Sequence, residues 1–257
     1  MKLALSIAGS DPTGGAGLQL DVQVFRSLGL HGAAVPTALT LQDSVAVKQV
    51  LPSFPSVVLD QLRVLLADVR PAAIKIGMLA TDDVVRNVAL ALSGLDPEVP
   101  IVLDPVLASS DGTLLLERRA FPALAGLFPR AALVTPNRPE ACELTGEDAA
   151  SDAGAERAAR ALIEQQGARA VLVKGGHREG APRDLLRVAG GETLWFEGER
   201  HPGGPVHGTG CALSAAIAAK LALGASLPRA VEEARRFVAD AIARSHALGK
   251  GARFLGF

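Results

Sequence analysis

The segment HGTGC at residues 207–211 combines residues that can bind an anion with one that can accept a proton. The small residues after it predict a helix over residues 208–223. Free N–H groups and the helix dipole at such a start attract negative charge, and glycines let the backbone approach a phosphate. Cys211 would lie in the first turn, where the pKa of a thiol falls. A buried structural cysteine at a tight turn is the alternative. The flanking glycines favour a reactive Cys211 beside an anion hole formed by Gly208, Thr209 and Gly210.

Five further segments place Gly, Pro, Asp, Asn or Lys directly after an apolar, strand-like run. They are GSDP at 9–12, GM at 77–78, DP at 104–105, TPN at 135–137 and KGG at 174–176. One such loop is explained by the needs of a turn. Five of them, three with a strand-end ionisable or amide group, predict a ligand site, because ligands of parallel sheets bind beyond the carboxyl ends of the strands.

The elements that must position these residues alternate between strands and helices. Predicted strands are 3–7, one within 30–40, 46–51, 73–76, 101–103, 131–134 and 170–173, followed by a hairpin of 184–188 and 193–196. Predicted helices are 16–27, 57–69, 81–94, 139–144, 152–166, 208–223 and 227–248. This alternation predicts a single α/β domain over residues 1–257, with a mostly parallel central sheet covered by helices on both faces.

Composition excludes several classes of protein. The 257 residues are 49% hydrophobic and 21% charged, with a net charge of −1, which is typical of a globular protein without a basic surface for nucleic acid. Cys142 and Cys211 are too few for a disulfide scaffold or a four-thiolate zinc site and suit a reducing cytosol. The first apolar run is shorter than a signal peptide requires and is followed at once by Asp11, and the longest apolar stretches fall short of a spanning helix. We therefore expect a soluble cytoplasmic protein without nucleic-acid or membrane partners.

Familiar catalytic and nucleotide motifs are missing from the sequence. There is no G-x-x-x-x-G-K-[ST] phosphate loop, and no G-x-S-x-G, H-E-x-x-H or EF-hand pattern. The glycines at 9, 14, 15 and 17 do not follow the G-x-G-x-x-G spacing, which leaves a dinucleotide-binding oxidoreductase as a weak alternative.

Several motifs together resemble one family across nearly the whole chain. GTGC at 208–211 is similar to the anion-hole signature of the ribokinase-like superfamily. Most of that superfamily has Asp at the last position, whereas Cys resembles the hydroxymethylpyrimidine/phosphomethylpyrimidine kinases of thiamine biosynthesis and the related vitamin B6 kinases. Similar motifs occur in the same order at 8–17 (AGSDPTGGAG), 37–42 (TALTLQ), 75–79 (KIGML), 135–141 (TPNRPEA) and 173–177 (VKGGH).

The resemblance implies a pocket for a pyrimidine. Asp21 resembles the acidic residue that binds the aminopyrimidine, and Gln42 resembles the side chain that pairs with its ring. An amide suits this role because it offers both a donor and an acceptor. Met78 resembles an apolar wall of the pocket, and Gly9 and Gly77 would let the backbone approach the ring.

The resemblance also implies sites for ATP and Mg²⁺. Asn137 and Lys174, with Thr209, resemble nucleotide-binding residues. Glu140 and Asp104 resemble the acidic residues near the metal, which takes one or two carboxylates plus phosphate oxygens. Asn137 and Glu140 also have the spacing of a capping box at a helix start, and both roles are compatible.

The implied activity is the ATP- and Mg²⁺-dependent phosphorylation of 4-amino-5-hydroxymethyl-2-methylpyrimidine and then of its monophosphate. In the implied mechanism Cys211 accepts the proton of the substrate hydroxyl while the anion hole holds the transferred phosphoryl group. A homodimer is also expected. A pyridoxine or pyridoxal kinase on the same scaffold is the nearest alternative, and a non-catalytic metabolite-binding regulator is an alternative from another class.

Three departures from the family pattern stand out. Asp43 follows Gln42 where Asn is frequent. The segment 107–112 (LASSDG) lacks the usual Lys or Thr of the flap over the phosphate, and the C-terminal G-P-x-x-H stretch is missing.

Overall fold

The computed structural model describes residues 1–176, 181–200 and 204–257. The described strands are β1 (Leu3–Ser10), β2 (His31–Gln42), β3 (Val47–Pro52), β4 (Ala73–Ile76), β5 (Ile101–Leu103), β6 (Leu133–Val134), β7 (Ala170–Val173), β8 (Arg183–Val188) and β9 (Thr193–Glu197). The described helices are α1 (Gly17–Ser27), α2 (Pro55–Asp68), α3 (Asp82–Leu92), α4 (Phe121–Ala125), α5 (Arg138–Thr145), α6 (Asp152–Glu164), α7 (Thr209–Ala222) and α8 (Leu227–Ala243). His177, the last residue of one of the family-like motifs, lies outside the described residues.

The nine strands form one sheet in the order β3-β2-β1-β4-β5-β6-β7-β8-β9. The six strands from β2 to β7 in this order are parallel to their neighbours, and β3, β8 and β9 add antiparallel edges. The predicted hairpin is confirmed as β8 and β9. Because the central strands run the same way, the loops at their carboxyl ends meet along one edge of the sheet.

Side chains that alternate along each strand build two separate cores. In β5, Ile101 and Leu103 point to a core shared with α2, α3 and α6, whereas Val102 points to a core shared with α1, α7 and α8. Side chains of successive strand residues point to opposite faces, so one apolar strand can serve both layers. This arrangement confirms the prediction of a three-layer α/β domain with helices on both faces.

Two parts of the chain differ from the prediction. The last helix ends at Ala243 rather than at residue 248, because the chain turns back and His246 pairs with Phe254 through two backbone hydrogen bonds. The region 104–130, for which no element was predicted, contains α4 and two short 3₁₀ turns, Arg118–Ala120 and Phe128–Arg130. These elements are too short to show a helical repeat in the sequence.

The segment 251–256 returns from this turn to the edge of the sheet where the loops meet. The N–H of Ala252 donates to Ser44 O at 3.0 Å, and the N–H of His207 donates to Arg253 O at 2.8 Å. The Phe254 ring packs edge-on against the His207 ring, with the centroids 6.3 Å apart. The segment therefore supports the chain just before α7.

Within the part of the chain that the structure describes, no helix is both long and apolar enough to cross a bilayer.

Candidate active site

The start of α7 carries an unusual backbone turn. Gly208 precedes the helix with φ of 74°, and a Cβ on it would lie 1.9 Å from the Gly15 carbonyl oxygen. Only glycine tolerates both the left-handed conformation and this contact. No side chain caps the helix, so the first N–H groups, including those of Thr209 and Gly210, lack intrahelical partners and can meet an anion.

Lys174 lies beside this helix start. Its ammonium would be 3.3 Å from a Cβ on Gly210, and it forms a 2.7 Å ion pair with Asp104 Oδ1. Burial alone would lower the pKa of Lys174, but Asp104 and Glu140 raise it, so the ammonium keeps its charge. The structure thus places a positive charge next to the predicted anion hole.

Asp104 is buried and directed at protein donors rather than at an open coordination position. Besides Lys174, the Thr135 hydroxyl donates to Oδ1 at 3.0 Å and the Ser214 hydroxyl donates to Oδ2 at 3.1 Å. In this structure Asp104 therefore holds Lys174. Its place near the metal stays a prediction, which contact through a water molecule would satisfy.

Asn137 and Glu140 form the capping box that their spacing allowed. The Asn137 side chain accepts from the Glu140 N–H at 2.8 Å, and Glu140 Oε2 accepts from the Asn137 N–H at 2.7 Å. The Glu140 side chain is buried, and burial together with the nearby Asp104 charge raises its pKa to about 7, against the opposing effect of Lys174. The carboxylate is therefore both a cap and a member of the charged cluster around Lys174.

Cys211 occupies the first turn of α7, as predicted, and is half-buried. The expected fall in its pKa is wrong. Burial raises the pKa of the thiol, the carboxylates of Asp104 and Asp21 raise it further, and the positive charge of Lys75 opposes them only in part. The thiol is thus protonated at neutral pH.

Lys75 and Asp21 form a buried ion pair behind Cys211, which the sequence analysis missed. Both side chains have no exposed surface, and Lys75 Nζ lies 2.8 Å from Asp21 Oδ2. The Ser6 hydroxyl donates to the same oxygen at 2.5 Å. The sequence feature that could have revealed this ion pair is a lysine within the otherwise apolar strand AIKI, since a buried lysine requires a partner.

The predicted contact of Asp21 with the pyrimidine is therefore corrected. Its carboxylate is enclosed between Ser6 and Lys75 and presents no exposed surface to a ligand. It acts through Lys75, whose pKa burial would lower but which Asp21, Cys211 and Asp104 together hold above its ordinary value.

Gly9, Gly77 and Met78 meet at the ends of β1 and β4, as the pyrimidine-pocket prediction requires. A Cβ on Gly9 would lie 2.7 Å from Met78 Sδ, and one on Gly77 would lie 2.7 Å from Lys75 Nζ. Met78 is buried in a small apolar cluster with Ala38, Ala80 and Leu115. The two glycines therefore make room for Met78 Sδ and Lys75 Nζ at this end of the sheet.

Gln42 ends β2 and reaches His207, the residue just before the anion hole. Its amide lies 3.0 Å from His207 Nε2, which lies 2.9 Å from Asp11 Oδ2. Asp11 belongs to a family-like motif and His207 directly precedes one, but no role was predicted for either residue. The sequence feature that could have pointed to them is a carboxylate and an imidazole next to glycine-rich loops.

The acidic residues at this edge of the sheet fit magnesium only together with phosphate. Among the described residues, no group of three or more His, Cys, Asp or Glu side chains could hold a metal ion. Magnesium commonly keeps several waters and takes one or two carboxylates plus phosphate oxygens. Asp104 and Glu140 suit that arrangement, and they do not suit an ion held by protein ligands alone.

The parallel sheet, the uncapped helix start and the lysine with two carboxylates beside it define a small-molecule kinase of the ribokinase-like class. A family model described as phosphomethylpyrimidine kinase matches residues 11–255. A hydroxymethylpyrimidine/phosphomethylpyrimidine kinase of Mycobacterium tuberculosis is 39% identical over 249 residues, which cover 96% of this chain and 90% of that protein. The chain belongs to the phosphomethylpyrimidine kinase family.

Solved structures agree with this assignment. The phosphomethylpyrimidine kinase of Clostridium difficile superposes with a TM-score of 0.82 at 33% identity, covering 94% of this chain and 100% of that one. The pyridoxal kinase of Staphylococcus aureus in complex with AMP-PCP and pyridoxal superposes with a TM-score of 0.88 at 30% identity, covering 100% of this chain and 93% of that one.

Proposed function

We propose that this chain is an ATP-dependent kinase that phosphorylates 4-amino-5-hydroxymethyl-2-methylpyrimidine and then its monophosphate, giving the diphosphate used in thiamine biosynthesis. The observation that carries the proposal is the juxtaposition of Lys174 and Cys211 at the uncapped start of α7. Membership of the phosphomethylpyrimidine kinase family supports the choice of substrate.

The start of α7 is suited to hold the phosphoryl group during transfer. Phosphoryl transfer passes through a loose transition state, so positioning and charge stabilisation do most of the work. The ammonium of Lys174 lies beside Gly210, whose N–H is one of the free N–H groups at this helix start. Fixed donors of this kind stabilise developing negative charge without having to reorganise.

Cys211 is the proposed acceptor for the proton of the substrate hydroxyl. Because its thiol is protonated at neutral pH, only a small thiolate fraction is ready at any moment. The nearby Lys75 charge stabilises that thiolate. In a loose transition state the bond to the attacking oxygen is little formed. The hydroxyl can therefore keep its proton until late, which suits a weakly populated base.

The nucleotide would lie along the loops after β6 and β7. Lys174 would contact its phosphates, Asn137 would lie beside them at the start of α5, and Thr209 would contribute its N–H. Magnesium, when bound with ATP, neutralises charge on the β and γ oxygens. Asp104 and Glu140 would hold its waters, since both lie beside Lys174.

The pyrimidine would lie against Gly9, Gly77 and Met78, with Gln42 at its edge. This places the hydroxymethyl group on the side of Cys211, because the Lys75 ammonium lies under Gly77 and also acts on the Cys211 thiol. Asp21 supports this pocket from behind, through Lys75.

A direct test is incubation with ATP, Mg²⁺ and each candidate alcohol, followed by counting the phosphates on the product. We expect the hydroxymethylpyrimidine to gain one and then two phosphates. Phosphorylation of pyridoxal alone would replace this proposal with a vitamin B6 kinase, which the likeness to the Staphylococcus aureus pyridoxal kinase favours. Binding without turnover would indicate a metabolite-binding regulator, and hydride transfer would indicate an oxidoreductase.

A homodimer formed through the β2–β3 hairpin is a further part of the proposal. Leu39 and Leu51 pair across the two strands, and with Leu41 they are 54%, 41% and 48% exposed. Contiguous exposed apolar side chains mark contact surfaces. Light scattering should give a dimer mass that Leu41→Glu lowers to that of a monomer, and a monomeric parent would refute this part.

We also propose a cytoplasmic location, because the free thiols of Cys142 and Cys211 suit a reducing compartment.

A further inference from the structure

Three side chains from separate loops meet beside the proposed pyrimidine pocket. Asp11 follows β1, Gln42 ends β2, and His207 precedes the anion hole. His207 Nε2 lies 2.9 Å from Asp11 Oδ2 and 3.0 Å from the Gln42 amide. The chemistry proposed above uses Gln42 but assigns no task to the other two.

Asp11 determines which nitrogen of His207 carries the proton. Its side chain is only 4% exposed, and its other oxygen accepts from the N–H and hydroxyl of Thr13 at 2.9 and 2.8 Å. Although burial alone would raise the pKa of Asp11, the hydrogen bonds from His207 and Thr13 lower it. A carboxylate can only accept hydrogen bonds, so His207 must present an N–H at Nε2.

That N–H in turn determines how the Gln42 amide is oriented. A half-turn of an amide exchanges its oxygen and its NH₂ group, and the hydrogen-bond partners decide between the two orientations. The structure records Gln42 Nε2 3.0 Å from His207 Nε2, which sets two donors against each other. After a half-turn, the amide oxygen would instead share the His207 N–H with Asp11 Oδ2 in a three-centre hydrogen bond. The carbonyl oxygen of Gln42 is the only part of its amide that can accept from this N–H.

Thr40 gives the same answer independently. Its hydroxyl has one proton, which it donates to Ser10 O at 2.9 Å. The structure records Gln42 Oε1 3.2 Å from the same hydroxyl. With its one proton engaged at Ser10, the Thr40 hydroxyl can only accept there, so an amide oxygen in that place finds no donor. The NH₂ group of Gln42 must therefore face Thr40, with the oxygen toward His207.

We propose that His207, held by Asp11, is a positioning residue that fixes the order in which Gln42 presents its acceptor and its donor to the substrate ring. This inference rests on the proposed place of Gln42 at the edge of the pyrimidine. An aminopyrimidine edge carries an amino donor next to a ring-nitrogen acceptor, which complements an amide of fixed orientation. A 4-oxo pyrimidine, with C=O next to N–H, carries the reverse order.

Asp11→Asn is the decisive variant. Its Oδ1 can keep the hydrogen bonds of Thr13, while its NH₂ group would donate to His207 Nε2. His207 then becomes an acceptor on that side, and the Gln42 amide turns round. We expect the parent to favour the 4-amino alcohol over its 4-oxo analogue at least tenfold in kcat/KM, and Asp11→Asn to reduce this ratio at least tenfold, mainly through KM.

A matched pair of variants separates orientation from packing. His207→Gln keeps an N–H donor and should hold the ratio within about threefold of the parent, whereas His207→Leu should lose most of the preference. Both substrates are measured on the same enzyme sample, so a loss of folded protein cancels in the ratio. The KM for ATP should stay within about threefold in every variant.

Equal loss on both substrates in Asp11→Asn would overturn the inference and leave Asp11 and His207 as structural residues. Long-range ¹H–¹⁵N NMR of the imidazole gives a readout that needs no substrate. We expect the Nε2–H tautomer in the parent and the Nδ1–H tautomer in Asp11→Asn. An Nδ1–H tautomer in the parent would also overturn the inference. A parent that phosphorylates neither pyrimidine would instead refute the proposed function, while the tautomers still decide the role of Asp11.

Discussion

Replacing Lys75 by methionine removes one charge of an ion pair that has no contact with solvent. Both side chains are 0% exposed and 2.8 Å apart, so Asp21 would be left buried without its counter-ion. Removing one partner of a buried pair costs about 3–5 kcal/mol. Methionine has nearly the length of the lysine stem, so most of the loss comes from charge rather than from an empty cavity.

The loss should depend on pH, because Asp21 can relieve it by taking up a proton. Burial raises the pKa of Asp21, and without Lys75 little opposes that rise. A folded-state pKa above the unfolded value means that stability falls as pH rises between the two. We therefore expect Lys75→Met to lose more stability at pH 8 than at pH 5.

The assay is urea unfolding of the parent and its variants at both pH values. Lys75→Met combined with Asp21→Leu removes both charges and should recover most of the loss. Lys48→Met is the matched control, because Lys48 is exposed and 3.9 Å from Asp43, and it should change stability by less than about 0.5 kcal/mol. A loss below about 1 kcal/mol for Lys75→Met, or one equal at both pH values, would refute this reasoning.

Three other substitutions test the site. Gln42→Ala should raise the KM for the pyrimidine several-fold or more, since an unpaired polar group costs about 1–3 kcal/mol; equal losses for ATP would place Gln42 elsewhere. Glu140→Gln should raise the Mg²⁺ concentration for half-maximal rate. It should also remove the loss of stability that the parent shows as pH rises from about 4.5 to about 7. An unchanged Mg²⁺ dependence with a lower melting temperature would leave only the capping role. Cys211→Ala should lower kcat by roughly 10²–10⁴-fold, toward the lower end, while Cys211→Asp keeps some activity. A near-parental single-turnover rate of the Ala variant would contradict the role of Cys211 as a base.

Most strands and helices of the fold could be predicted from local patterns in the sequence. Short apolar runs that alternate with helical segments predicted the central strands. The capping box of Asn137 and Glu140 could be predicted from the spacing of these two residues. The end of α8 could not be predicted from the residues around it. The chain leaves the helix because His246 pairs with Phe254 across a turn, and this pairing is not visible in the local sequence. Elements set by their own residues were predictable, and those set by distant pairing were not.

The site shows the same division. The start of α7 depends on adjacent glycines and was predicted from them. The pKa of Cys211 depends on burial and on charges at Asp104, Asp21 and Lys75, which the fold brings from three other elements. Asp21 was predicted as a ligand from the family resemblance alone. Its partner Lys75 lies 54 positions away, and no local rule connects the two.

The segment 251–256 has a consequence for synthesis of the protein. Its backbone carbonyl at Arg253 holds His207, and its Phe254 ring packs on that imidazole. Chains grow from the N-terminus at about 5–20 residues per second, so β1, β2 and their loops exist many seconds before the residues that brace the start of α7. A nascent chain can therefore form much of its sheet while its active site is still incomplete. Ribosome-bound chains ending before residue 250 should have compact structure without kinase activity.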